Sequence, residues 1–221
     1  NLRCQIMLDC SSSMYFQFQP EKLSKIQYAI YAIASLIELL KKQRDAVGLS
    51  FFTNELNFHS ECKTSVSHHH FLYAELEKQL QQYDEKSSTT TVSAQALHDV
   101  AELTHKRSLI LLFSDMLEDE VQLQKTIEGL QHMKHNKHEV VLFHVIDKEI
   151  ELDFDFQNRP YQFVDMETGE RMKLSPNQIK DKYQNAIQSY FKKVESECLK
   201  NRIDSVTLDI NQPLTDVLLK Y

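Results

Sequence analysis

The sequence holds only three glycines in 221 residues, Gly48, Gly129 and Gly169. Turns that cradle phosphate need clustered glycines, so that backbone amides can close on the anion. Neither G-x-G-x-x-G nor G-x-x-x-x-G-K-[ST] can be assembled from these positions. G-x-S-x-G is absent as well, which argues against the nucleophile elbow of an α/β-hydrolase. No apolar run approaches the roughly 18–20 residues of a membrane-spanning helix. No basic run occurs, and Asp plus Glu outnumber Lys plus Arg by 32 to 25, for a formal charge of −7. Nucleic acid is therefore not an expected partner. Cys4, Cys10, Cys62 and Cys198 make no C-x-x-C pair and no zinc spacing. They are expected to be free thiols in a reducing, cytoplasmic setting. No signal-peptide pattern opens the chain, whose first residue is Asn.

What is present is an ordinary globular composition, 42% hydrophobic and 26% charged, sufficient for one large domain with a full core. Four nearly continuous apolar runs read as strands covered on both faces: CQIMLD (4–9), AVGLSFF (46–52), SLILLFSD (108–115) and EVVLFHVID (139–147). SVTLDI (205–210) is a fifth candidate. Between them lie helical patterns at 21–44, 70–83, 93–105, 119–135 and 176–200. In the first, Leu23, Ile26, Ile30, Ile33, Ile37 and Leu40 share a stripe; in the last, Ile179, Tyr183, Ala186, Ile187, Tyr190 and Val194 do. Strand and helix alternate, so the expected fold is α/β: a doubly wound, mostly parallel sheet with helices on both faces. One segment breaks the alternation. In residues 150–174, Phe154, Phe156, Tyr161 and Phe163 alternate with polar residues and ETGE supplies a turn, which predicts an inserted β-hairpin.

Chemistry is expected at the carboxyl ends of the parallel strands, where open sheets hold ligands. Asp9 ends the first strand, and Ser11 and Ser13 follow at steps of two. Asp115 ends the strand 108–115, and the hydroxyl-rich loop SSTTT (87–91) precedes the helix feeding that strand. Two carboxylates among hydroxyls form an all-oxygen set, suited to a hard cation such as Mg²⁺ or Mn²⁺. With so little negative charge, the ion would stay electrophilic and accept a carboxylate from outside. The plainer reading is helix capping by Ser and Thr. The three histidines of 68–70 cannot converge on one ion, since helical neighbours point about 100° apart; an exposed helix start is expected there. His98 is expected to be a packed, hydrogen-bonded side chain. The run EDE (118–120) is expected to sit favourably at a helix N-terminus.

The pattern D-x-S-x-S, a distant Thr and a distant Asp resembles the metal-ion-dependent adhesion site of von Willebrand factor A domains. A closer resemblance is to the bacterial domain-of-unknown-function family 58. It is carried by TVSAQALHDVAELTHKRSLILLFSD from Thr91, by QFVDMETGERMKL and by QPLTDVLLKY. That register selects Thr91 over Thr89 and Thr90. The resemblance implies a single von Willebrand factor A-like domain over 1–221, with a basic segment upstream. It implies metal ligation by Asp9, Ser11, Ser13, Thr91 and Asp115: hydroxyls on the ion, the two Asp orienting it partly through water, and a partner's Asp or Glu completing the shell. Family members often sit beside MoxR-type AAA+ ATPases, which implies a partner role in assembly or maturation and no established activity. Asp115 is followed by Met116, where many such domains have glycine.

The function expected is thus a metal-dependent, non-enzymatic protein-binding module. The alternatives are a metal-dependent phosphohydrolase and a metal-free scaffold. A phosphohydrolase of the haloacid dehalogenase type needs a second acid where Ser11 stands, and no lysine obviously reaches the phosphate.

Overall fold

Strands with apolar side chains on both faces must be covered on both faces, and the computed structural model, which describes residues 2–81, 93–164 and 171–215, shows that arrangement. The elements run β1 (Arg3–Asp9), α1 (Ser12–Tyr15), α2 (Lys25–Lys42), β2 (Ala46–Phe52), β3 (Leu56–His59), α3 (Val66–Gln81), α4 (Ser93–Leu103), β4 (Leu109–Ser114), α5 (Glu120–His135) and β5 (Glu139–Ile146). A single π-helical turn (Lys148–Leu152) follows, then β6 (Tyr161–Val164), β7 (Arg171–Leu174), α6 (Pro176–Lys200) and β8 (Asp204–Asp209). Six strands form one sheet in the order β3-β2-β1-β4-β5-β8. All neighbours are parallel except β2 and β3.

Alternation along each strand sorts the core into two layers. Ile6 and Leu8 face α2 and α3, where Ile26, Ala29, Ile33, Ile37, Leu72 and Leu76 pack on them. Met7, Ile110 and Leu112 face the other way, toward Ala96, Leu97, Ile127, Leu130 and Val194 of α4, α5 and α6. The doubly wound α/β sheet read from the sequence is the one found. Gly129 lets α5 approach α4 closely: a Cβ there would lie 3.0 Å from the Leu97 side chain.

Several elements depart from the expected bounds. The first long helix begins at Lys25, not Glu21. Ser24 caps it through a reciprocal pair, its hydroxyl accepting from Gln27 N–H and its own N–H donating to the Gln27 side chain. Leu23 therefore lies outside the helix and is exposed. Helix α3 starts four residues earlier than expected, and its histidines divide: His70 is exposed as expected, while His69 is buried and His68 bonds to the Val47 carbonyl at 3.0 Å. His98 turns toward α5, its ring 4.8 Å from that of His132. The edge strand β3 had no counterpart in the sequence reading.

The inserted hairpin is real but shorter: β6 and β7 pair antiparallel, Tyr161 with Leu174 through Val164 with Arg171. Its turn, including ETGE, lies outside the described residues. The preceding stretch forms the π-helical turn and a loop. Phe154, Phe156, Tyr161 and Phe163 do cluster, with Phe18 from the loop between α1 and α2 among them. None of the four cysteines is in a disulfide. Among the described residues, no helix is long and apolar enough to cross a membrane.

Candidate functional site at the central strand tips

Strands β1 and β4 lie side by side, and strand order runs outward from them in both directions, so their carboxyl ends mark the switch point of the sheet. Their register sets Leu8 against Phe113. The next step brings Asp9 beside Ser114, whose hydroxyl donates to Asp9 Oδ2 at 2.6 Å. The Ser11 N–H donates to the other oxygen, Oδ1, at 2.9 Å. Ser11 and Ser13 follow on the start of α1 with their hydroxyl oxygens 3.1 Å apart. Asp115 lies just past β4, held by the Leu117 N–H on Oδ1 at 3.1 Å, with the Ser13 hydroxyl also bonding its carboxylate. Asp9, Ser11, Ser13 and Asp115 are thus brought together. Thr91, with the whole loop 87–91, lies outside the described residues.

The chain after Asp115 bends sharply. Met116 has φ +50°, in the left-handed region that favours glycine. Its side chain is buried, its N–H donates to Ser114 Oγ, and its carbonyl accepts from the Tyr190 hydroxyl at 2.6 Å. Tyr190 Oη also accepts the Glu118 N–H at 3.1 Å. One phenol therefore pins a turn that a glycine would make without strain. Beyond it, Asp119 caps α5 by accepting from Val121 and Gln122, and the Glu118 carboxylate accepts from Thr126, so the acidic run serves the helix start.

Three residues of the site were not foreseen. Lys25, the first residue of α2, is almost wholly buried and places its ammonium 2.7 Å from Asp115 Oδ2 and 2.5 Å from Glu151 Oε1. Glu151, on the π-helical turn after β5, accepts the Asp147 N–H through its other oxygen at 2.9 Å. His144 of β5 lies beneath, its Nε2 2.9 Å from the Asp115 carbonyl. Lys25 is a lysine at the strand tips that the sequence reading does not name. A faint signal existed: Lys25 stands one turn before Ala29 and two turns before Ala32, on a small-residue face that is fully buried. Glu151 was hidden inside the stretch read as hairpin.

The buried charges shape one another. Burial, and then the Asp115 charge, push Asp9 up to about 7, against the opposing hydrogen bonds of Ser114 and Ser11. Burial would raise Asp115 too, but the Lys25 ammonium outweighs it and holds that carboxyl below the usual range. Burial raises Glu151, with Lys25 opposing. Burial drives His144 down to about 4, so it is a neutral donor to Asp115. Among the described residues no three His, Cys, Asp or Glu side chains gather as a metal-ligand group. The oxygens here are two carboxylates and hydroxyls, a set for hard cations only.

The family model described as a protein of unknown function, DUF58, matches residues 1–192. The chain belongs to the DUF58 family. Among curated proteins, none matches the sequence. The structure of this DUF58 protein is similar to that of BatB from Bacteroides thetaiotaomicron, with TM-score 0.63 and 15% identity, over 100% of this chain and 95% of that one. It is also similar to an aerotolerance-related membrane protein from Bacteroides fragilis, with TM-score 0.61 and 15% identity, over 99% and 98% of the two chains. The SpRpn10 VWA domain matches more loosely, at TM-score 0.49 and 15% identity over 100% and 95%, too loosely to bear an argument. At these identities the similarity is one of fold alone, that of the α/β sheet described above.

Proposed function

We propose that this DUF58 domain is a protein-binding module whose strand-tip oxygens hold a divalent cation, Mg²⁺ or Mn²⁺, that bridges to an Asp or Glu of a partner. The observation that supports it most is the spacing of the serine hydroxyls. Neighbouring ligands of an octahedral ion with bonds of about 2.1 Å stand roughly 3 Å apart, and Ser11 and Ser13 Oγ are 3.1 Å apart. The raised Asp9 adds a second support, since a buried carboxylate pressed by a neighbouring one gains from a cation. Asp9, Ser11, Ser13 and Asp115 would hold the ion, with Thr91 joining from the 87–91 loop. The ion would supply an electrophilic centre with a position open to the partner. A MoxR-type AAA+ ATPase is the partner that the family resemblance suggests, and a cytoplasmic setting accords with four cysteines that form no disulfide.

Titration calorimetry with Mg²⁺ and Mn²⁺ tests the reading: saturable heat is expected, and its loss in Ser11→Ala/Ser13→Ala. A partner captured from native lysate should be released by chelator and missed by the same variant. A metal-free scaffold would give no saturable heat.

One observation favours a second reading. Lys25 joins two carboxylates of opposed titration, the kind of set a phosphohydrolase uses. Turnover of generic phosphate esters with Mg²⁺, abolished in Asp9→Ala, would establish it. Against it, Ser11 occupies the place of the second acid, and Lys25 is already engaged by two carboxylates and shielded from solvent.

A further inference from the structure

We propose that Lys25 is a tethered rival of the divalent cation: its ammonium is the resident positive charge of the site, and an incoming ion must win Asp115 from it. This rests on the metal reading above. Both oxygens of Asp115 already accept hydrogen bonds, Oδ2 from Lys25 at 2.7 Å and Oδ1 from Leu117 at 3.1 Å. A dication drawing on that carboxylate meets a like charge bonded to the same group. The ammonium has a second seat prepared. Glu151 lies 2.5 Å from it on the π-helical turn after β5, and the Asp147 N–H fixes that carboxylate in place. When the ion binds, Lys25 falls back on Glu151 alone.

The arrangement is poorly explained by stability. Buried ion pairs cost nearly as much in lost hydration as they return, and well-packed apolar replacements are often neutral. Placed between Asp115 and Glu151, however, a fixed ammonium has a definite effect. It offsets one negative charge of the metal-free site, and it weakens the hold on the ion. The charged and titratable groups around Lys25 are Asp115 just past β4, Glu151 from the π-helical turn and Tyr183 from α6, with neutral His144 beneath Asp115.

The test compares Mg²⁺ and Mn²⁺ affinity by calorimetry in the chain as it stands, in Lys25→Met and in Lys25→Met/Glu151→Met. The double variant removes one charge of each sign, so the net charge of the site is unchanged. Both variants should bind either ion roughly tenfold more tightly or better, the scale expected when a neighbouring like charge is removed. Their melting temperatures should rise more with added Mg²⁺ than that of the parent chain. A variant that folds only when Mg²⁺ is present supports the proposal. A double variant that stays unfolded at every Mg²⁺ concentration overturns it, because Lys25 is then required by the fold itself. Equal or weaker affinity in the folded variants also overturns it while leaving the metal reading intact. No saturable heat in any folded protein, the parent chain included, overturns both.

Discussion

Asp9 is the residue at which stability and function pull apart. Its folded-state pKa lies above the ordinary carboxylate value, so its contribution to stability is fully present at low pH and is lost as pH rises from about 4 through about 7. His144 acts in the opposite sense. Its folded pKa is depressed to about 4, so its contribution is present above its ordinary 6.5 and is lost as pH falls below that. In chelator the two tend to offset one another. The substitution Asp9→Asn removes the first effect alone. It should stabilise the metal-free protein at pH 8 by about 2–4 kcal/mol, and stability should then climb more steeply between pH 4.5 and 7. Urea denaturation across that range checks both. Added Mg²⁺ should no longer raise the melting temperature of this variant. Sequence alone shows Asp9, Ser11, Ser13 and Asp115 as candidates because they crowd strand ends in a short pattern. It does not show Lys25, which meets Asp115 from 90 residues away and Glu151 from 126. Nothing local to a helix start says which distant carboxylate its lysine will find.

At the scale of elements, the turn after β4 is the part whose geometry is borrowed. Met116 adopts a backbone conformation costing about 1 kcal/mol or more for a residue with a side chain, and Tyr190 from α6 holds it there. Tyr190→Phe should cost about 1–2 kcal/mol and lower Mg²⁺ affinity, since Asp115 sits on that turn; chemical denaturation and calorimetry measure the two separately. At the other end of the sheet, Gly48 is required by close approach. A Cβ there would lie 2.3 Å from Gln5 Oε1 and 2.6 Å from the Ser60 carbonyl oxygen. The backbone oxygen cannot swing away, so Gly48→Ala should destabilise by about 1–3 kcal/mol, read as a lower urea midpoint. The main strands are legible because both their faces are buried and their apolar runs are unbroken. Strand β3 is not, because LNFH is a short, half-covered edge strand. The π-helical turn was misread for a different reason: Ile150, Leu152, Phe154 and Phe156 alternate as a strand would, and only packing decides that the chain winds there instead.

The whole molecule consists of one six-stranded sheet and one small annex. The annex is tied to the sheet end through Phe156, whose ring lies 5.0 Å from Phe18, 4.8 Å from Phe154 and 5.4 Å from both Tyr161 and Phe163. Phe156→Ala should loosen the annex alone. Hydrogen exchange in β6 and β7 should accelerate, while the main sheet keeps its protection, at a global cost of about 1–2 kcal/mol for a partly exposed ring. Helix α6 also differs from its expected role at this scale. Of the six apolar positions that share its stripe, only Val194 is buried. Tyr183, Ala186, Ile187 and Tyr190 instead line an open groove of about 360 Å³ with Leu117 and Glu118. Periodicity identifies the stripe but cannot say whether anything covers it.

The placement of Asp9 and Asp115 on the two innermost strands has a mechanical consequence. β1 and β4 are each hydrogen-bonded on both sides, so neither can be peeled away from an edge. Tension applied at their tips runs along the strands and loads the whole ladder in shear, every bond at once. A grip anchored on an outer strand would unzip bond by bond under the same force; one anchored here resists until the sheet itself gives way.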